Sequence, residues 1–369
     1  HLSIRRQRQM CIRDSYLPPG ALIPFLDALP ETVVKSVIGQ SVNDLPIHLL
    51  SIGKGVTKIL IWSQMHGNES TTTRALLDFI PWFLNSSQKS LQEAFALSII
   101  LQLNPDGAET YTRLNANNVD LNRDAINLSQ PESKALNNLY HTIKPDYCLN
   151  LHGQRTIFSA GKKGETASLS FLAPSANIER TVTPPRKKAM QLIVALKKTL
   201  EKVLPNQIGR YDDSFNPNCV GDKFTQLGSP TILFEAGHVS GDYQREITRK
   251  HLLTCLKTFL KTLITNDCNH SIEEYFNIPE NAKDFIDLII SGVTVIHNGK
   301  NYFEQELAIQ YQEKLKGDNV IFIPVMVAFA SKIPLKSHKK IKLSKGLIDS
   351  PLHFNKRKMI KISNLTSLI

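Results

Sequence analysis

An α/β fold is predicted, with a mixed, mostly parallel central sheet flanked by helices and a small β-rich region at the C-terminal end. Three observations predict it. Between about residues 47 and 265, short unbroken apolar runs alternate with longer segments of helical period. Four of those runs end in polar residues able to bind metal or carry protons, and in open α/β sheets such strand ends are where ligands bind. Beyond about residue 269 the helical period gives way to Val/Ile-rich runs and an Asn298-Gly299 dipeptide, which favours a hairpin turn.

The elements follow in order. Residues 1–15 lack clean periodicity and a signal-peptide apolar stretch; they resemble a translated sequencing adaptor and are read as a non-native or disordered segment. After a Pro-rich lead-in, residues 47–53 read as a strand. Lys58 to Ser63 is a short apolar run of the kind buried on both faces. From Glu69 to Leu84, Ala75, Leu76, Phe79, Ile80 and Phe83 recur at helical spacing, and Pro81 is placed to kink or end the helix. Residues 96–103 form the next strand, and 104–130 a polar, Asn-rich loop. Pro131 to Ile143 reads as a helix with proline at its start. A strand over 146–151, an amphipathic helix over 186–204, a strand over 230–234 and a helix over 243–264 complete the alternation. Asn281 to Ile290 reads as one further helix, followed by strands over 293–297 and 320–327. The predicted organisation is a catalytic domain over 16–268 and a small β-rich domain with a basic tail over 269–369.

Composition bounds the function. The 369 residues are 41% hydrophobic and 21% charged, ordinary for a globular protein, and no apolar run reaches 18 residues, so no transmembrane helix is expected. The five cysteines are scattered, with no Cys-x-x-Cys pair. That argues against a disulfide framework or a thiolate zinc site, and points to a reducing compartment such as the cytoplasm. The net charge of +11 sits at the ends: residues 1–13 carry +4 and residues 331–362 carry +9, so the rest of the chain is near neutral at −2. The basic C-terminal stretch reads as a solvated surface rather than a nucleic-acid site.

The chemistry gathers at strand ends. His66-Gly67-Asn68-Glu69 follows the 58–63 run, Asn104-Pro105-Asp106-Gly107 the 96–103 run, His152 the 146–151 run and Glu235 the 230–234 run. Two imidazoles and one carboxylate leave a tetrahedral zinc one open position, the arrangement of a catalytic rather than a structural site. Taken singly each motif has a plain alternative: a packed histidine, a turn, an ion pair, a helix cap. Their order along the chain is what resists coincidence.

These motifs, with Arg113, Val119-Asp120-Leu121-Asn122-Arg123, Asn150-Leu151-His152-Gly153 and Phe234-Glu235-Ala236-Gly237, resemble the M14 zinc carboxypeptidases, and appear in that family's order over roughly residues 45–265. The resemblance implies one Zn²⁺ held by His66, Glu69 and His152. It implies Glu235 as the general base, Arg113 as stabiliser of the developing oxyanion, Asn122 and Arg123 as the grip on a substrate carboxylate, Asp120 as the group that orients a ligand histidine, and Tyr211 as a mobile-loop tyrosine. Arg155 and His238 are weaker candidates for lining the pocket. Digestive members carry an arginine where this chain has Asn68, which counts against long peptide substrates. The spacing is closer to compact bacterial members, and the appended β region is similar in architecture to succinylglutamate desuccinylase and aspartoacylase relatives. The expected activity is hydrolysis of an amide beside a free carboxylate in a small peptide or peptide-like substrate. The alternatives are an N-acyl amino acid deacylase, a non-catalytic binding protein that keeps the fold, and nucleic-acid binding through the basic stretch.

Overall fold

The computed structural model describes residues 16–297, 300–343 and 352–354. The N-terminal segment 1–15, the Asn298-Gly299 turn and most of the basic stretch beyond residue 343 lie outside the described residues.

An eight-stranded sheet organises the larger part of the chain. Its strands are β1 (Val34–Gln40), β2 (Pro46–Ile52), β3 (Thr57–Ser63), β4 (Phe95–Ile100), β5 (Tyr147–Gly153), β7 (Leu169–Leu172), β8 (Ile208–Arg210) and β9 (Thr231–Ala236). A two-residue strand β6 (Ser159–Ala160) stands apart. The order across the sheet is β1-β2-β4-β3-β5-β9-β7-β8. The central strands β4, β3, β5 and β9 are parallel neighbours, while β1 and β2 run antiparallel to the strands they join and β7 lies antiparallel to β9 and parallel to β8. The sheet is therefore mixed, with a parallel centre, as the apolar runs imply.

Strand alternation fills both faces. On β3, Ile59 and Ile61 join one buried cluster while Leu60 and Trp62 join another, so successive side chains point into different cores. The first core receives helices α2 (Ser70–Phe83), α6 (Pro184–Leu200) and α8 (Glu246–Thr265). The second receives α5 (Pro131–Ile143) and α7 (Val220–Gln226), with Tyr140 stacked on Phe224 at 4.0 Å between ring centroids. Shorter helices are α1 (Pro19–Asp27), α3 (Lys89–Ala94), α4 (Pro105–Thr110) and α9 (Ile272–Phe276). Helices α2 and α8 are also tied by charge: Arg249 donates to both carboxylate oxygens of Asp78 at 2.7 and 2.8 Å, and the fully buried Arg74 pairs with Glu246.

Most boundaries fall within a few residues of expectation. Pro81 sits inside the last turn of α2 without ending it. The Asn-rich loop contains α4, which Asn104 caps by accepting the Gly107 amide at 2.9 Å. Helix α8 starts at Glu246 rather than Tyr243, because the Asp242 carboxylate accepts the amides of Glu246 and Ile247 and fixes the entry there. That leaves Tyr243 and Arg245 in a turn at the mouth of the sheet.

One expectation fails. Asn281 to Ile290 is not a helix: it holds β10 (Asn281–Ala282) and the first half of β11 (Phe285–His297). The run Phe285-Ile286-Asp287-Leu288-Ile289-Ile290 is apolar on both sides, and such a run has no period that separates a buried helix from a buried strand. Pairing decides it, because β11 has partners on both edges. It runs antiparallel to β12 (Lys300–Lys316) and parallel to β14 (Lys336–Lys342), and β13 (Asn319–Ala330) pairs with the far side of β12. A short β15 (Leu352–Phe354) extends the sheet beside β11. The strands flanking Asn298-Gly299 do pair antiparallel, with His297 opposite Lys300. The start of the basic stretch is thus structural: β14 is a sheet strand, and Lys336 donates to the Gly164 carbonyl at 2.9 Å. The C-terminal sheet has its own core around Leu288, Ile290, Val295, Leu307 and Ile309, whereas Tyr275 and Ile278 bury in the main core.

A close approach under the site requires Gly67. A Cβ there would lie 1.9 Å from the Gly107 carbonyl carbon and 2.2 Å from the Ala108 nitrogen. Both are backbone atoms that cannot swing aside. Gly67→Ala is expected to destabilise by about 3 kcal/mol, the upper part of the overpacking range, read as a lowered midpoint in thermal or urea unfolding.

Candidate active site

Three strand ends meet. β3 runs into His66 and Glu69, β5 carries His152 one residue before its end, and β9 carries Glu235 directly opposite His152 in the parallel register. His66 Nδ1 lies 2.8 Å from Glu69 Oε1, His152 Nδ1 lies 3.0 Å from Glu69 Oε2, and the two Nδ1 atoms are 3.1 Å apart. Ring nitrogens and carboxylate oxygens thus turn toward one point, and these three residues form a group able to hold a metal ion. Two imidazole lone pairs and a carboxylate repel one another unless a proton or a cation lies between them, so the donor set fits a divalent ion such as zinc.

The surrounding contacts hold these groups in place. Glu69 Oε2 accepts the Gly153 amide at 2.9 Å. Asp120 Oδ1 lies 3.1 Å from His66 Nε2, the nitrogen turned away from the meeting point, and also accepts the Asn122 amide. Arg113 spans the edge, donating to Asp120 Oδ2 at 3.0 and 3.2 Å and reaching Glu69 Oε1 at 3.4 Å, with its side chain 46% exposed to the cleft.

Electrostatics follow from burial and charge. Burial works to lower the His66 pKa, but the Glu69 charge and the bonds to Asp120 and Glu69 outweigh it and carry it up to about 9. His152 moves down, chiefly because burial penalises its cation. Glu235 is held well above the usual carboxylate range, first by burial and then by the nearby Glu69 charge; its Oε2 has no hydrogen-bond partner in the protein.

His66, Glu69, Arg113, His152 and Glu235 line one cleft of about 1360 Å³. Asn122 and Arg123 form another part of its wall, below the start of α7. Asn122 Oδ1 accepts the Val220 amide at 2.9 Å, and Arg123 donates to the Asn122 carbonyl and lies 3.1 Å from Cys219 Sγ, its side chain exposed. Tyr211 lines the cleft too; burial first, then the charges of Glu235 and Glu69, push its phenol pKa up. Arg155 is on the lining, while His238 is buried against Tyr243 and His338 and does not reach it.

Several cleft residues have no role in the sequence reading, Asn150 among them although it stands in the Asn150-Leu151-His152-Gly153 motif. The buried Asn150, two residues before His152 on β5, has no partner for either amide atom. Asp222, on α7, is a buried carboxyl that burial pushes up to about 7. Alternation along β5 puts Asn150 on the same side as His152, a signal that was available. The C-terminal sheet adds Asp287, Gln310, Tyr311, Glu313 and Phe322, for which no local signal existed.

A family model described as peptidase M14, zinc carboxypeptidase, matches residues 22–216, just over half of the chain. The chain belongs to the zinc carboxypeptidase family. The match covers His66, Glu69, Arg113, Asp120, Asn122, Arg123, His152 and Tyr211, and stops before Glu235. Among curated proteins, the chain is 33% identical over 137 residues to carboxypeptidase SOL1 of Arabidopsis thaliana, covering 31% of this chain and 28% of that one. It therefore spans little more than a quarter of that relative's length. Solved structures agree in fold. A metallo-carboxypeptidase from Burkholderia cenocepacia superposes with a TM-score of 0.54 at 16% identity, over 68% of this chain and 71% of that one. One from Pseudomonas aeruginosa, in complex with (2-guanidinoethylmercapto)succinic acid, gives 0.54 at 18% identity, over 68% and 70%. Zinc carboxypeptidases use zinc, and the His66–Glu69–His152 group is where this chain could hold it.

Proposed function

We propose that the protein is a zinc-dependent hydrolase that cleaves an amide beside a free carboxylate in a small peptide or peptide-like substrate. The observation that carries this is the single cleft on which a metal-binding trio, a carboxylate with an unpartnered oxygen and the Arg113 and Arg123 guanidinium groups all open. His66, Glu69 and His152 would hold the zinc. When bound there, zinc supplies the Lewis acidity that makes water nucleophilic near neutral pH and polarises a carbonyl. Glu235 takes a proton from the attacking water and returns it to the leaving nitrogen; its raised pKa suits a group that must do both. Arg113 lends charge to the oxygen that becomes negative, and Asp120 keeps His66 turned the right way. Asn122 and Arg123 hold the substrate carboxylate, for which a guanidinium fork is the matching shape. Tyr211, on the cleft lining, would contact the bound substrate.

The size of the cleft favours a peptide over an N-acyl amino acid, since small-molecule sites usually run to roughly 300–1,000 Å³. The second reading, an N-acyl amino acid deacylase, is favoured by the C-terminal sheet that walls one side of the cleft. We propose a catalytic unit over 16–268 and a small β-rich unit with a basic tail over 269–369, and the cytoplasm as compartment on the unpaired Cys148, Cys219, Cys255 and Cys268. Among the described residues no helix is long and apolar enough to cross a membrane.

The test is a screen of dipeptides, their C-terminal amides and N-acyl amino acids with the zinc-loaded protein. Free-acid dipeptides are expected to be cleaved best, and Arg123→Ala to raise KM by about tenfold to a hundredfold, the loss of one charge-assisted contact at roughly 1.5–3 kcal/mol. Equal cleavage of acids and amides, or no change in KM, would remove the carboxylate from the proposal.

A further inference from the structure

The cleft is not built by the catalytic sheet alone. Tyr311 and Phe322, from β12 and β13, and Val325 and Val327, also from β13, line it together with Tyr243 from the turn before α8. Three of these form an aromatic cup. The Tyr243 ring lies 5.4 Å from Tyr311 and 5.2 Å from Phe322, and Tyr311 is 6.2 Å from Phe322, all edge-on.

The cup is held from behind. Asp287 is 1% exposed; its Oδ1 accepts the Tyr243 hydroxyl at 2.9 Å, and its Oδ2 accepts the Tyr311 amide at 2.7 Å and the Gln310 side-chain amide. One buried carboxylate thus ties the catalytic part to the sheet and uses up the polar end of Tyr243. Val327, 52% exposed, extends the apolar wall. Beside the cup, Arg245 donates to the carbonyls of Gln154, Ala236 and Gly237, so this wall adjoins the ends of β5 and β9. The carboxylate grip at Asn122 and Arg123 belongs to a different wall, against Cys219 and Val220.

We propose that this cup is a binding subsite for an apolar side chain on the acyl side of the scissile amide, supplied in part by the C-terminal sheet. It rests on the substrate carboxylate sitting at Asn122 and Arg123: with the leaving residue held there, the acyl portion runs past the metal-binding group toward the other wall. The cup itself offers ring edges and valine methyls, while Gln310, Gln312 and Glu313 line the cleft from the same sheet; an apolar side chain gains by leaving water at the cup, whereas a charged one loses its hydration. Tyr311 and Phe322 are specificity-determining residues in this account, and Asp287 ties Tyr311 to Tyr243.

The test uses the full chain, zinc-loaded and carrying Glu235→Gln so that substrates bind without turnover. Equilibrium binding of N-acetylated dipeptides X-Ala is measured for X = Phe, Leu, Gly and Glu. Phe and Leu compounds are expected to bind at least about tenfold more tightly than Gly, the discrimination an apolar pocket provides, and Glu more weakly than Gly. Phe322→Ala should collapse the Phe-to-Gly ratio to within about threefold, and Val325→Ser, a second variant in case the first fails to fold, should lower it too. The ratio is the readout, because a loosened sheet would weaken all four compounds alike. Equal affinity for Phe and Gly compounds, or a ratio untouched in both variants, overturns the subsite while leaving the hydrolase reading intact. Failure of every dipeptide to bind overturns both.

Discussion

Glu235→Gln is expected to lower kcat/KM by roughly 10²–10⁴-fold, the contribution of a positioned proton carrier. The substitution keeps the volume and most of the shape of the side chain, so the local packing on β9 has no reason to change. What it removes is the ability to take up and return a proton. Glu235 stands opposite His152 in the register, is raised well above the usual carboxylate range by burial and the Glu69 charge, and has an oxygen with no partner in the protein. Zinc content, measured by elemental analysis, should match that of the unaltered protein. A variant that binds zinc normally and keeps more than about a tenth of the activity would show that another group moves the proton.

Metal removal is expected to have the second large effect. Dialysis against a chelator should abolish hydrolysis, and zinc should restore it. Stability should fall as well, since a ligand that binds only the folded state at 1,000 times its Kd contributes about 4 kcal/mol. The melting temperature should therefore drop by several degrees on chelation and recover with zinc. His152→Ala removes one of three donors and should eliminate both the activity and the zinc-dependent part of that shift. Asp120→Asn, which loosens the hold on His66 and removes the charge paired with Arg113, should weaken zinc affinity by about 10–100-fold. A chelated protein that melts unchanged and still turns over substrate would show that the cluster of imidazoles and carboxylate does not carry the reaction.

Much of the site is legible in the chain because it is local. His66 and Glu69 sit three residues apart at the end of an apolar run, and a strand entering a helix there puts both side chains on one side. His152 and Glu235 are each one residue position from the end of a comparable run. Parallel pairing of neighbouring buried strands then carries all four to one edge without further instruction. Arg113 and Asp120 are legible only through their resemblance to the family, since nothing in an Asn-rich loop says that it folds back over the strand ends. The failed helix at Asn281–Ile290 has the opposite lesson. Phe285 to Ile290 reads equally well as either element, and the partners that make it a strand, β12 and β14, begin 10 and 46 residues later than Ile290.

The sequence by itself determined the alternation of strands and helices, the buried centre of the sheet and the polar residues at its strand ends, because each depends on period and on neighbours a few residues away. Only the tertiary structure decided that the C-terminal strands form a wall of the same cleft. Tyr243, Asp287, Tyr311 and Phe322 are ordinary residues in ordinary contexts along the chain. They become one surface because a buried carboxylate must find donors, and the donors that satisfy Asp287 come from both parts of the molecule.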